Sequence, residues 1–196
     1  GGASPLKLNV PGEEEFANKG VFYCATCDGP GFAKKAVAVA GGGDSGITEG
    51  LFLAKLGCRV TIIEAMPQLT GTRVLQDRAF ANPGIQVKCG TRIEAVTGDS
   101  EVKGLNLLDI KTGAKSNIAV NGLLVHIGLK PRTEYLKGVL ALNNRGQVVV
   151  NDRMESEIPG VFAAGDVRSN SAMQISTAVG DGATAAVSLC RYLRTR

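Results

Sequence analysis

The chain has no tryptophan, a single histidine (His126) and only 5% aromatic residues. No apolar run approaches the ~20 residues that a membrane-crossing helix needs, and no basic stretch followed by an apolar core opens the chain as a secretory signal would. One histidine and one C-x-x-C leave too few ligands at the right spacing for a structural zinc site. An excess of one charge is also lacking. The 22 Lys and Arg residues against 18 Asp and Glu give a net charge of +4, and the basic residues are scattered apart from Arg191, Arg194 and Arg196 at the end. Nothing in that distribution marks a nucleic-acid surface. An initiating methionine is missing too: the chain opens Gly1-Gly2-Ala3-Ser4-Pro5, and it is expected to be processed, tagged or cut from something longer.

Cysteine is present but odd in number, at positions 24, 27, 58, 89 and 190. Only Cys24 and Cys27 have motif spacing, and two thiols separated by two residues close a small ring suited to reversible oxidation. Cys58, Cys89 and Cys190 sit in apolar contexts and read as buried thiols, which implies a reducing, cytoplasmic setting.

Glycine is abundant, at 26 residues, and alternates with apolar runs as in a fold rich in tight βα turns. Residues 5–22 read as a connector. Ala36-Val37-Ala38-Val39-Ala40 is a wholly apolar strand of the kind found in a parallel sheet covered on both faces. A glycine turn follows, then a helix from Ser45 to Leu56 stopped by Gly57, then a strand from Arg59 to Glu64. That is a βαβ unit with a right-handed crossover. A second helix is expected over 73–80 and a strand over 85–87. Residues 91–120 alternate apolar and polar around turn signals, which predicts an antiparallel meander. A buried strand over 122–128 comes next, followed by an extended stretch at 147–150 and a last helix from Ser176 to Leu193. The best boundary lies near 128–132.

Gly41, Gly43 and Gly46 fit G-x-G-x-x-G: the first for a tight turn, the second for close approach to a pyrophosphate, the third for packing helix on strand. The pyrophosphate would rest on the helix N-terminus. Glu64, at the end of the next strand, would accept hydrogen bonds from ribose hydroxyls and repel a 2′-phosphate, which predicts NADH over NADPH. Arg73 is the one nearby base that opposes this. A ligand-free βα turn and a solvated strand-end glutamate are the alternatives.

Together, Cys24-Ala25-Thr26-Cys27-Asp28-Gly29, the Gly41–Gly46 turn and Gly160-Val161-Phe162-Ala163-Ala164-Gly165-Asp166-Val167 resemble the low-molecular-weight thioredoxin reductase family, which includes the flavoprotein subunit of alkyl hydroperoxide reductase. The resemblance runs from Pro5 onward. It implies a disulfide reductase that passes electrons from a nicotinamide through FAD to a Cys24–Cys27 disulfide and on to a thioredoxin-like or peroxiredoxin-system protein. Cys27 would face the flavin, Cys24 would attack or release the partner's sulfur, and Asp28 would exchange the proton, although a turn-forming Asp-Gly is a competing reading of Asp28. Asp44, Ser45, Glu49, Ile127 and Gly128 join the glycines and Glu64 as nucleotide contacts; Gly165, Asp166, Gln174 and Ile175 are the flavin contacts. Met173 stands where the family often has Arg or Lys, and His126 reads as structural. Members that use NADPH carry a His-Arg-Arg run and a further Arg where this chain has Glu64, Ala65, Met66 and Thr70.

The implied architecture is α/β. Residues 1–22 would be a connector from the FAD domain, 23–128 a Rossmann-like three-layer NAD(P)H-binding domain with an antiparallel meander and the C-x-x-C, and 129–196 the C-terminal half of the FAD domain. The family's first glycine fingerprint is absent, so the FAD domain is incomplete, and the chain alone is expected to bind FAD poorly, to be inactive alone, and to dimerise with itself only when intact. A non-catalytic nucleotide-binding module that senses redox state or docks a partner is the second reading.

Overall fold

In the computed structural model, which describes residues 1–194, the chain divides into two compact units. One is Pro5–Gly128. The other joins Gly1–Ser4 to the chain from Leu129 onward. Strands in chain order are β1 (Ala3–Pro5), β2 (Val21–Phe22), β3 (Ala36–Ala40), β4 (Arg59–Ile63), β5 (Ile85–Lys88), β6 (Thr91–Gly98), β7 (Val102–Asp109), β8 (Lys115–Ala119), β9 (Gly122–Val125) and β10 (Leu129–Pro131). The helices are α1 (Ala25–Asp28), α2 (Asp44–Lys55), α3 (Arg73–Ala81) and α4 (Ile175–Arg194).

The larger unit is built on a five-stranded sheet in the order β2-β9-β3-β4-β5, all parallel. Successive side chains of a strand point to opposite faces, and β3 divides its residues accordingly. Val37 and Val39 pack with Val60, Ile62 and Leu124 beneath Ile47 and Leu53 of α2 and Ala79 of α3. Ala38 and Ala40 turn the other way, toward Ile93, Val96, Leu105 and Leu107 of the antiparallel sheet β6-β7-β8. A strand apolar at every position is thus explained by burial on both faces. The layers are helices, parallel sheet and meander, which is the Rossmann-like three-layer arrangement expected.

The strand and helix limits lie within three residues of the sequence expectation, and at β3 they coincide with it, except in two places. The stretch 147–150 forms no strand; Val148 alone makes isolated bridges, to Leu142 and Arg168. Residues 5–22 are not a free connector either. Val21 and Phe22 form β2 beside β9, Phe16 and Val21 lie in the core, and Phe22 stacks on Phe32 at 4.7 Å between ring centroids. The physical reason is Glu13, which is 1% exposed. Its carboxylate accepts the N–H groups of Leu8 (2.9 Å) and Asn9 (2.6 Å) and the Tyr23 hydroxyl (3.1 Å). A buried anion met by three donors fixes the segment where periodicity shows nothing.

The smaller unit has little sheet: β1 pairs with β10, and three isolated bridges tie its loops. Its long helix α4 buries only Asp181 and Ser188, while Ile175, Val179, Val187 and Leu193 stay exposed. Such a helix has an apolar face without a cover. The expectation of three buried thiols is corrected here as well. Only Cys58 is buried; Cys89 is half-buried, and Cys190 is exposed because it stands on α4.

Glu13→Ala should lower the stability of the larger unit by roughly 2–3 kcal/mol, because two backbone donors and a hydroxyl lose a charged acceptor. Urea unfolding followed by circular dichroism reads this. Glu14→Ala, which removes the exposed partner of Lys7, should leave the midpoint in place.

Candidate functional site

The turn between β3 and α2 is shaped by what cannot fit there. Gly41 has φ +109°, and a Cβ on it would enter the His126 carbonyl. A Cβ on Gly46 would strike the Gly41 carbonyl, so the helix lies against the strand end. Gly42 is equally constrained: a Cβ would meet Leu69 Cδ2 at 2.5 Å and Glu64 Oε2 at 3.0 Å. Sequence reading by the fingerprint alone passes over Gly42, and the run of three consecutive glycines was its only signal. Gly43 is open, with Thr70 Oγ1 the nearest atom at 3.7 Å. Gly43 is also the N-cap of α2 and offers no side-chain cap, so the first N–H groups of α2 have no partner from it. Asp44 and Ser45 are exposed there, and the Asp44 carboxylate accepts the Thr72 N–H at 2.6 Å.

Glu64 is not a solvated strand end. It is 9% exposed; Oε2 accepts the Gly42 N–H at 2.7 Å and Oε1 accepts the Met66 N–H at 2.9 Å. Each oxygen retains a further acceptor site for a ribose hydroxyl. The loop beyond it folds back over the turn, where Thr70 and Gly71 donate to the Gly42 carbonyl, each at 3.0 Å. Arg73 points into solvent and pairs with Asp77 one helical turn on, at 2.9 Å. Ile127 and Gly128 are exposed at the end of β9, with Gly128 at φ +118°.

The dithiol motif sits on α1. Cys24 is its N-cap, half-buried and extended, with Sγ accepting the Cys27 N–H at 3.2 Å. Cys24 and Cys27 form a disulfide with 5.4 Å between Cα atoms. Cys27 and Asp28 are exposed. Ala25 is fully buried, and its N–H donates to Glu49 Oε2 at 2.9 Å. The other oxygen of Glu49 lies 3.1 Å from His126 Nε2. Burial pushes the Glu49 carboxyl up, but the hydrogen bonds from His126 and the Ala25 N–H outweigh it and hold the group below the usual carboxylate range. Glu49, placed by sequence among the nucleotide contacts, is therefore engaged by the redox turn. Its link to His126 joins residues far apart in sequence, and no spacing announces it. Tyr23, just before Cys24, has its hydroxyl pushed up to about 12 by burial and by Glu13.

In the smaller unit Gly165 adopts φ +78° and opens a 3-10 turn, Gly165–Val167. Asp181 of α4 holds it: Oδ2 accepts the Gly165 N–H at 3.1 Å and Arg168 Nε at 2.8 Å, while Oδ1 accepts the other arm of Arg168 at 2.6 Å. The Arg168 guanidinium keeps the Asp181 carboxyl below its ordinary range despite burial. Asp166 is half-buried, and no described residue pairs with its carboxylate. Met173 is in the left-handed region at φ +54°, and Gln174 and Ile175 are exposed. Sequence reading missed the Arg168–Asp181 pair, which lies outside any motif. Among the described residues no cluster of three or more His, Cys, Asp or Glu is placed to hold a metal, and no helix is long and apolar enough to cross a membrane.

A profile described as pyridine nucleotide-disulphide oxidoreductase matches residues 1–182. The chain is 42% identical over 192 residues to a Bacillus subtilis protein named NADH dehydrogenase, covering 98% of this chain and 38% of that one. It is 41% identical over the same length to an alkyl hydroperoxide reductase component of Staphylococcus epidermidis, again 98% of this chain and 38% of that one. Among solved structures, Lactococcus lactis thioredoxin reductase superposes with a TM-score of 0.93 at 36% identity, covering 100% of this chain and 65% of the other. Thioredoxin reductase of T. acidophilum gives 0.91 at 37%, covering 99% and 64%. The chain thus spans about two-fifths of these curated relatives and just under two-thirds of these solved chains.

The Arg168–Asp181 pair makes a pH prediction. Asp181 is depressed in the folded state, so its stabilisation is fully present above the unfolded carboxyl value of about 3.9 and is lost as pH falls through the lower folded value. Asp181→Asn should therefore weaken the smaller unit at pH 6 and converge with the parent chain in acid. Thermal unfolding at the two pH values checks this.

Proposed function

The chain belongs to the pyridine nucleotide-disulphide oxidoreductase family, and from that premise we propose that it carries the nucleotide seat and redox-active disulfide of a thioredoxin-reductase-like flavoprotein that moves electrons from NADH through FAD to Cys24–Cys27 and on to a thioredoxin-like or peroxiredoxin-system disulfide. The observation that carries the reading is the placement of Cys24–Cys27 and the glycine turn within one unit, joined by Glu49, which sits on the helix that the turn opens and binds the backbone of the dithiol turn.

The residues fit a dinucleotide. Gly41, Gly42 and Gly46 leave no room for side chains, Gly43 is open and gives no side-chain cap, and the first N–H groups of α2 at Asp44, Ser45 and Gly46 would hold the pyrophosphate. Glu64 would accept a ribose hydroxyl and repel a 2′-phosphate; Ile127 and Gly128 lie beside the turn at the end of β9. They also fit one edge of a flavin: Gly165 and Asp166 form a braced turn with a carboxylate that no described residue pairs, and Gln174 and Ile175 are exposed in the same unit. The bound groups would supply hydride donation (NADH) and two-electron carriage (FAD).

The chain's own part is the thiol chemistry. Opening the disulfide takes two electrons and two protons and leaves two thiols. Cys27, the exposed member, would face the flavin. Cys24 would attack the partner's disulfide as thiolate, displacing one partner sulfur; Cys27 would then release the second and restore Cys24–Cys27. Asp28, exposed beside Cys27, would exchange the proton with the thiol. Free thiols at Cys58, Cys89 and Cys190 suit a reducing cytoplasm. A homodimer of the intact protein, and poor FAD retention and inactivity of this chain alone, belong to the same proposal; the exposed apolar face of α4 supports them.

Two measurements test it. Fluorescence titration should show NADH binding at least about tenfold more tightly than NADPH, a difference of roughly 1.4 kcal/mol; equal affinities would remove the assignment of Glu64. Reduced Cys27→Ser protein should trap a mixed disulfide with a thioredoxin-type partner through Cys24, whereas Cys24→Ser should not; the reverse pattern would exchange the two roles.

A further inference from the structure

The carboxylate of Glu49 reaches the dithiol through one peptide. Its Oε2 accepts the N–H of Ala25 at 2.9 Å, and that nitrogen is bonded to the Cys24 carbonyl carbon. Cys24 Sγ accepts the Cys27 N–H at 3.2 Å and lies 3.3 Å from the Thr26 hydroxyl. The Ala25 N–H is turned toward an anion. A formal negative charge therefore lies one peptide from the residue whose sulfur must become a thiolate.

We propose that Glu49, kept in place by His126, is a positioning residue that sets the redox poise of the Cys24–Cys27 pair by disfavouring the thiolate and so favouring the disulfide. The inference rests on the reading that this pair cycles. A thiolate is stabilised by nearby donors and positive charge and destabilised by an anion. Stabilising it favours the dithiol, and destabilising it makes the dithiol a stronger reductant. Glu49 remains ionised at neutral pH because its carboxyl is held below the usual range. It is only partly exposed, as is His126, with side-chain accessibilities of 25% and 22%, so water screens the charge incompletely.

The other charged groups around α1 do not offer the same effect. Asp28, on α1 itself, is exposed and bonded to none of the described side chains. The 3-10 turn that follows, Gly29–Phe32, carries no titratable residue. On α2, Asp44 is occupied by Thr72 at one end and Lys55 lies at the other. Tyr23 is tied to Glu13, with its hydroxyl pushed up to about 12, so it stays neutral. Glu49 is the anion that reaches the backbone of the redox turn.

The test compares the parent chain with Glu49→Gln and Glu49→Ala. Glutamine keeps an acceptor for the Ala25 N–H and removes only the charge; alanine removes both. The alkylation rate of the reduced pair, read by mass spectrometry on the peptide holding both cysteines, is followed against pH. Glu49→Gln should lower the ionisation midpoint by about one unit, tenfold in thiolate at a pH below it. In a dithiothreitol redox buffer at pH 9, one disulfide of the protein opens as one dithiothreitol closes to its cyclic disulfide. There the equilibrium should shift several-fold toward the dithiol, up to the tenfold that equals about 30 mV for a two-electron couple. Glu49→Ala should shift both readouts in the same direction. A shift in Glu49→Ala without one in Glu49→Gln would overturn the proposal, because the hydrogen bond and not the charge would then be responsible; so would no shift in either. A parent disulfide that never opens under dithiothreitol would overturn the redox reading itself and the inference with it. Cycling with unchanged poise sinks only the inference.

Discussion

The Glu64 carboxylate is the constraint on which the nucleotide end of this molecule depends. It is buried, charged, and met by two backbone donors, Gly42 on the turn and Met66 on the loop beyond β4. Charge-assisted bonds of this kind are strong, and leaving a buried carboxylate without them is costly. The bond from Gly42 draws the middle of the glycine turn over the end of β4, where no side chain has room. On the proposed reading, the carboxylate that shapes the seat also selects against a phosphorylated ribose, so architecture and specificity share one group.

The dithiol end follows a parallel logic. Glu13 pins the segment before Tyr23, and Glu49 pins the first amide after Cys24. The turn bearing Cys24 and Cys27 is therefore bracketed by two carboxylates on backbone N–H groups, while Cys27 and Asp28 stay open to solvent. A short turn of four residues cannot hold itself; these anchors do it. In the smaller unit Asp181 plays a corresponding part, bracing the Gly165 turn through its N–H and Arg168.

Much of this was legible from residue order. The apolar run at 36–40, the glycine fingerprint, the helix after it and the alternation over 91–120 each report burial on one or two faces, and a periodicity survives in sequence. The dithiol was legible because its spacing is its chemistry. What could not be read were the bonds between a side chain and a distant backbone. Glu13 looks like one acidic residue in a run of three, Glu49 like a helix residue, and Asp181 like a polar break in a glycine-rich helix. Each is defined by a partner that only the fold brings near. The connector expected over 5–22 failed for that reason: a segment without periodicity was held by one buried carboxylate.

The most direct test of the nucleotide seat is an amide-resolved NMR titration of the chain with NADH. If the turn closed by Glu64 holds the nucleotide, the amides of Gly42, Asp44, Ser45, Gly46 and Met66 should shift together and saturate with a single affinity, while those of α4 stay in place. Saturating shifts confined to the chain beyond Leu129, or none at the Gly42 and Met66 amides, would contradict it.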